Sequence, residues 1–219
     1  MKYRCLILDH DDTAVQSTPD IHYPSFVEAL RLLRPEAEPL SLEQFVSYCF
    51  HPGFAELCKD ILGFNPEEQA RQYAIWKRYT QSKTPDFYGG FPELLREYKQ
   101  RGGIIAVVSH SEREQIVRDY QLHCAIMPDL IFGWEQKAER RKPNPYPVLE
   151  TMKRFQLERD AILVLDDLKP GLVMARSCGV SFAAAGWSHL IPEIGDYMRA
   201  NADYYFATVD SFREFILSA

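Results

Sequence analysis

Short unbroken apolar runs alternate along this chain with stretches whose apolar residues recur every three or four positions. The runs are YRCLILD (3–9), IIAVVS (104–109), AILVLDD (161–167) and VSFAAA (180–185). Each is too short for a typical helix. The first three are rich in Ile, Val and Leu, which predicts strands buried on both faces. Between them lie FPELLREYKQRGG (91–103), EREQIVRDYQL (112–122), NPYPVLETMKRFQL (144–157) and KPGLVMARSCG (169–179). These read as amphipathic helices, several with Pro near the start or Gly at the end. Strands that alternate with helices and show no polar face predict a parallel, doubly wound α/β sheet.

Residues 16–85 break that rhythm. IHYPSFVEALRLLR, SLEQFVSYCF, GFAELCKDILGF and NPEEQARQYAIWKRYT predict four helices with no strand between them, and Pro or Gly marks the joints. The expected organisation is a Rossmann-like α/β core from residues 1–15 and 86–219. A smaller all-helical cap domain, residues 16–85, is inserted after the first strand.

Composition narrows the picture. With 46% hydrophobic and 13% aromatic residues, the chain can bury a sizeable core. A net charge of −6 disfavours nucleic acid as a partner, because phosphate backbones demand a basic face. Cys5, Cys49, Cys58, Cys124 and Cys178 are scattered without a CxxC pair, which suits reduced, packed thiols. The apolar run at the N-terminus stops at Asp9, too early for a signal peptide, and no run approaches a membrane span. A cytoplasmic protein without membrane contacts is expected.

The chemistry is concentrated where the predicted strands end. In open parallel sheets, ligands bind outside the carboxyl ends of strands. Asp9, Asp11 and Asp12 follow the first run, Ser109 the second, and Asp166 and Asp167 the third, while Lys142 sits in the loop KAERRKPNP. Taken singly, an Asp-rich strand end suits a turn or cap, Ser109 suits a helix cap, and Lys142 suits a solvated surface. Taken together, they bring acidic clusters, a hydroxyl and an ammonium toward one sheet edge. Three carboxylates within four residues call for a positive partner.

Asp9-His10-Asp11-Asp12-Thr13, Ser109, Lys142-Pro143 and Asp166-Asp167 resemble the four motifs of the haloacid-dehalogenase-like hydrolases. The helical insertion is similar to the cap of the phosphoglycolate phosphatase and β-phosphoglucomutase branch. The resemblance implies a phosphatase of small phosphorylated metabolites that works through an aspartyl-phosphate. It implies Asp9 as nucleophile and Asp11 as general acid, then base. It implies Ser109 and Lys142 as holders of the phosphoryl oxygens. It implies Mg2+ held by Asp9, the main-chain carbonyl of Asp11 and Asp167, with Asp166 beside them. A phosphomutase, or a non-catalytic phosphate-binding protein, is the alternative. Two positions depart from the pattern: Asp12 stands where the family usually has Gly, and His110 replaces a small or amide residue. His110 and His51 of the joint CFHPGF are further candidate substrate contacts. Lys59, Lys77, Arg78 and Lys83 read first as helix-surface charges. Trp187 and His189 resemble a loop at the entrance. The core motifs leave the metabolite and the oligomeric state open.

Overall fold

The computed structural model describes residues 2–218. Its six strands form one parallel sheet in the order β3-β2-β1-β4-β5-β6. They are β1 (Cys5–Leu8), β2 (Ile104–Val108), β3 (Leu130–Phe132), β4 (Ile162–Asp166), β5 (Ser181–Ala185) and β6 (Tyr204–Phe206). This is the classical doubly wound order, with chain connections diverging on either side of β1. Central β1 pairs with β2 through Leu8 and Val107, and with β4 through Leu8 and Leu165. The residues that follow these positions on all three strands therefore emerge at one level of the sheet.

The predicted runs become β1, β2, β4 and β5, and the sheet adds β3 and β6, three residues each. PDLIFG and NADYYFATVD are too short to carry a period. The two strands form the sheet edges, held by pairing to β2 and β5. Apolar residues of the inner strands are fully buried, among them Leu6, Ile7, Leu8, Ile105, Val107, Leu163 and Leu165. Each such side chain contributes about 1.5–3 kcal/mol through removal from water.

Helices α5 (Phe91–Gln100), α6 (Arg113–Asp119), α7 (Tyr146–Phe155), α8 (Lys169–Cys178), α9 (Pro192–Asn201) and α10 (Val209–Leu217) follow or connect these strands. Gly103 precedes β2 so closely beneath the Tyr98 ring that a Cβ there would overlap it. Tyr98 in turn donates its hydroxyl to the carbonyl of Tyr3 at 3.0 Å, tying α5 to the entry of β1.

The chain divides into two compact units, 1–16 with 86–219 and 17–85. The second is wholly helical. It comprises α1 (Tyr23–Leu33), α2 (Leu42–Phe50), α3 (Phe54–Glu56, continued by a wider turn to Ile61) and α4 (Pro66–Ser82). Capping boxes set two of its helix starts: Ser41 with Gln44 opens α2, and Asn65 with Glu68 opens α4. Phe26, Phe45 and Phe54 pack ring against ring at its centre, with centroids 4.9–6.2 Å apart. Among the described residues, no helix is long and apolar enough to cross a membrane.

Candidate active site

The site is built at the carboxyl ends of β1, β2 and β4. Asp9 leaves β1, its backbone N–H donating to Leu165 of the neighbouring strand at 2.9 Å. The chain then turns sharply: Asp12 N–H donates back to Val15 at 2.7 Å, and Ala14 N–H to His10 at 2.9 Å. Asp12 occupies the left-handed region at φ 58°, where glycine is easiest but Asp is among the best-tolerated alternatives.

Lys142 lies between two carboxylates, with Nζ 2.6 Å from Asp9 Oδ1 and 2.7 Å from Asp166 Oδ2. All three are nearly sealed from solvent, at 7%, 5% and 2% exposure. Asp166 also accepts the Leu168 N–H at 2.9 Å, so both of its oxygens are engaged. Asp167 points to the other side: Thr13 Oγ1 lies 3.2 Å from Asp9 Oδ2 and 3.2 Å from Asp167 Oδ1. Asp11, half-buried, accepts from Ser109 Oγ at 3.0 Å and Ser111 Oγ at 2.7 Å through one oxygen, Oδ2. Ser109 Oγ accepts the Ser111 N–H at 2.9 Å, which fixes its rotor toward Asp11.

Burial is the dominant electrostatic force here, and the neighbours decide where each charge ends up. Desolvation pushes Asp9 well above the ordinary carboxylate range despite the opposing pull of Lys142. Asp166 is raised to about 6 by burial, with Lys142 holding it down and Asp167 pushing it up. Asp167 goes the other way: the hydrogen bond and charge of His189, together with Lys142, outweigh burial and lower it. For Lys142, burial works against the charge, yet Asp166 and Asp9 outweigh it and keep the ammonium protonated.

The sheet thus brings Asp9, Asp11, Ser109, Lys142, Asp166 and Asp167 together. His110 lies at the border of the group, exposed, with Nε2 donating to the Lys142 carbonyl at 3.1 Å and its ring edge-on to Trp134. His51 belongs to the helical unit, exposed at the C-terminal end of α2. In that unit Arg78 is paired with Glu28, and Lys83 donates to the Asp20 carbonyl at 2.8 Å. Thr13, the last residue of the first motif, joins the site through its hydroxyl, and Ser111 joins it from a position the residue pattern left unremarked. Ser111 follows Ser109 by two residues and presents its hydroxyl to the same carboxylate. His10 turns away from the aspartates and meets Asp119 of α6 at 3.1 Å, buried behind the turn. Nothing in the sequence near His10 points to Asp119.

Asp9, Asp166 and Asp167 each offer a carboxylate oxygen, and these oxygens lie within 4.8 Å of one another. Three buried carboxylates, with Lys142 beside Asp9 and Asp166 and His189 beside Asp167, form a set of hard oxygen donors. That donor set fits a divalent cation of the Mg2+ type.

The chain from residue 6 to residue 185 matches the model of the haloacid dehalogenase-like hydrolase family. The chain belongs to that family. Phosphoglycolate phosphatase of Aquifex aeolicus is 24% identical over 189 residues, covering 85% of this chain and 86% of the relative. A protein of Caldanaerobacter subterraneus assigned as the pyrophosphatase PpaX is 32% identical over 114 residues, 52% of this chain. That match spans 50% of the relative's own length. A haloacid dehalogenase-like hydrolase from Streptococcus pneumoniae superposes with a TM-score of 0.75 at 15% identity, covering 98% of this chain and 99% of the other. The shared fold is therefore that of the haloacid dehalogenase-like hydrolases, and this chain is a hydrolase of that family with phosphatase-named relatives.

Proposed function

We propose that the protein is a Mg2+-dependent phosphatase of small phosphorylated metabolites that passes through an aspartyl-phosphate. The observation that carries this reading is the Asp9–Lys142–Asp166 array at the end of β1 and β4, with Asp11 held by two hydroxyls two residues beyond Asp9.

Asp9 is the nucleophile. A carboxylate oxygen of Asp9 forms a bond to phosphorus as the bond from phosphorus to the substrate alkoxide breaks. Asp11, in its protonated form, gives its proton to that departing oxygen, which leaves as an alcohol. In the second half, the Asp11 carboxylate takes a proton from water while the water oxygen attacks phosphorus. The bond to Asp9 breaks and inorganic phosphate is released. Ser109 and Lys142 hold phosphoryl oxygens and offset the charge that spreads over them. For Lys142 this adds to its contact with Asp9, which orients the nucleophile from the side. Asp9, Asp167 and the main-chain carbonyl of Asp11 would hold Mg2+, with Asp166 beside them. Bound there, the cation would supply positive charge that offsets the repulsion between the carboxylates and an incoming phosphate.

Asp11 is what separates this chemistry from other reactions on the same fold. Expulsion of an alkoxide needs a proton donor, and a module that merely bound phosphate would need neither Asp9 nor Asp11. His51 and His110 are the residues we assign to substrate contact outside the phosphoryl group, and residues 16–85 are assigned as the cap.

The test is phosphate release from a panel of small phosphate esters with Mg2+ or EDTA, for wild type and Asp9→Asn. Metal-dependent release that drops by roughly 10^4-fold or more in the variant is expected. Equal release by the two proteins overturns the assignment of Asp9, and isomerised ester without free phosphate replaces the phosphatase by a mutase.

A further inference from the structure

Three consecutive residues after β5 reach back to the turn that carries the aspartates. Trp187 Nε1–H donates to the Thr13 carbonyl at 3.1 Å. Ser188 Oγ sits within hydrogen-bonding reach of the Asp12 carbonyl and of Ala185 O. His189 Nε2 is 2.7 Å from Asp167 Oδ2 and 3.9 Å from Asp12 Oδ2. A carboxylate can only accept, so Nε2 carries the proton in that bond. His189 Nε2 thus lies beside two buried carboxylates, one in the turn after β1 and one just past the end of β4.

The loop is itself anchored. Gly186 N–H donates to Phe206 O at 2.8 Å, and its α-carbon lies so close to the Tyr205 ring that a side chain there would overlap it. The indole of Trp187 packs against Tyr88, Phe91 and Phe212, with centroids 6.2–6.4 Å away. Both ends of the clamp are therefore rigid: one is wedged in the core, the other bonded to the turn.

We propose that Trp187, Ser188 and His189 form a positioning clamp on the catalytic turn. Trp187 and Ser188 hold the Asp12–Thr13 backbone, and His189 holds Asp167 at a fixed separation from Asp12. Asp12 brings a carboxylate to a left-handed position where glycine would bring none, and the His189 N–H beside both groups offsets the repulsion between it and Asp167. His189 touches neither substrate nor the reacting atoms in this scheme; it acts through Asp167. The consequence for divalent-cation affinity rests on the metal reading above, whereas the hold on the turn does not.

Two measurements on the full chain separate these parts. Hydrogen–deuterium exchange of the peptide spanning residues 9–16, in metal-free protein, reads the hold on the turn. Trp187→Phe and His189→Leu each raise its exchange rate about 10-fold or more, through local opening of the turn. His189→Gln, which keeps an N–H donor, stays near wild type. Calorimetric titration with Mg2+ reads the effect on the cluster. Loss of a group that orients a metal ligand commonly weakens metal binding by about 10–100-fold. His189→Leu falls in that range and His189→Gln recovers most of the affinity. Unchanged exchange in Trp187→Phe and His189→Leu overturns the clamp, as does equal behaviour of His189→Leu and His189→Gln. If wild type takes up no Mg2+ while the exchange pattern holds, the clamp stands and the metal reading fails.

Discussion

Replacing Lys142 with methionine removes the one ammonium between Asp9 and Asp166 while keeping the length and shape of its stem. In the folded protein Nζ is 2.6 Å from Asp9 Oδ1 and 2.7 Å from Asp166 Oδ2, and all three side chains are 2–6% exposed. Removing one partner of a buried pair leaves an uncompensated charge and costs about 3–5 kcal/mol. At about 2–4 °C per kcal/mol for a chain of this size, the melting temperature falls by about 6–20 °C. The loss depends on pH, and its sign follows from the carboxylates left behind. Burial already raises Asp9 well above its ordinary value and Asp166 to about 6, with Lys142 opposing both shifts. Without Lys142 both rise further above their unfolded values. The folded variant then binds more protons than its unfolded chain, and its stability falls as pH rises through that window. The deficit against wild type is largest near pH 8 and narrows toward pH 5. Melting followed by circular dichroism in EDTA, at both pH values, measures it. A variant that melts with wild type at pH 8, or one whose deficit is the same at pH 5 and pH 8, refutes the reasoning.

Other perturbations probe separate parts of the argument. Asp11→Asn slows hydrolysis of alkyl phosphates by about 10^2–10^4-fold, and of p-nitrophenyl phosphate much less, because a good leaving group needs no proton; equal slowing of both esters contradicts the acid role. Gly171 sits in the first turn of α8, where an added Cβ would overlap the Asp166 side chain. Gly171→Ala therefore displaces Asp166 from Lys142 and lowers kcat by about 10^2-fold with the fold intact by circular dichroism. Phe26 is almost fully buried among Phe45 and Phe54 in the helical unit. Phe26→Ala costs about 3–5 kcal/mol there, and limited proteolysis should cut residues 17–85 before the α/β unit.

How much of this was legible in the residues depends on what each element owes to its own segment. Apolar runs of Ile, Val and Leu between helical patterns have few ways to hide their backbones, so β1, β2 and β4 and their parallel pairing were readable from the pattern alone. The strand-end aspartates were readable for the same reason, since a buried strand must deposit its terminal carboxylates at the sheet edge. β3 and β6 were not: three residues hold no period, and their strand conformation comes from hydrogen bonds supplied by β2 and β5. Asp12 could be recognised as an oddity in the turn, but its neighbour His189 could not be paired with it.

The sequence by itself determined the class of fold and which residues stand at the strand ends. Local pattern and side-chain type are properties of short segments, so they survive without tertiary contacts. Only the tertiary structure decided that Lys142 lies between Asp9 and Asp166, that Ser111 shares Asp11 with Ser109, and that His189 stands beside both Asp167 and Asp12. Those pairs lie 22 to 177 residues apart and form only once sheet register brings the loops together. Their charges, too, are set there: burial raises Asp166 although Lys142 opposes it, whereas at Asp167 the hydrogen bond and charge of His189, with Lys142, outweigh burial and lower it.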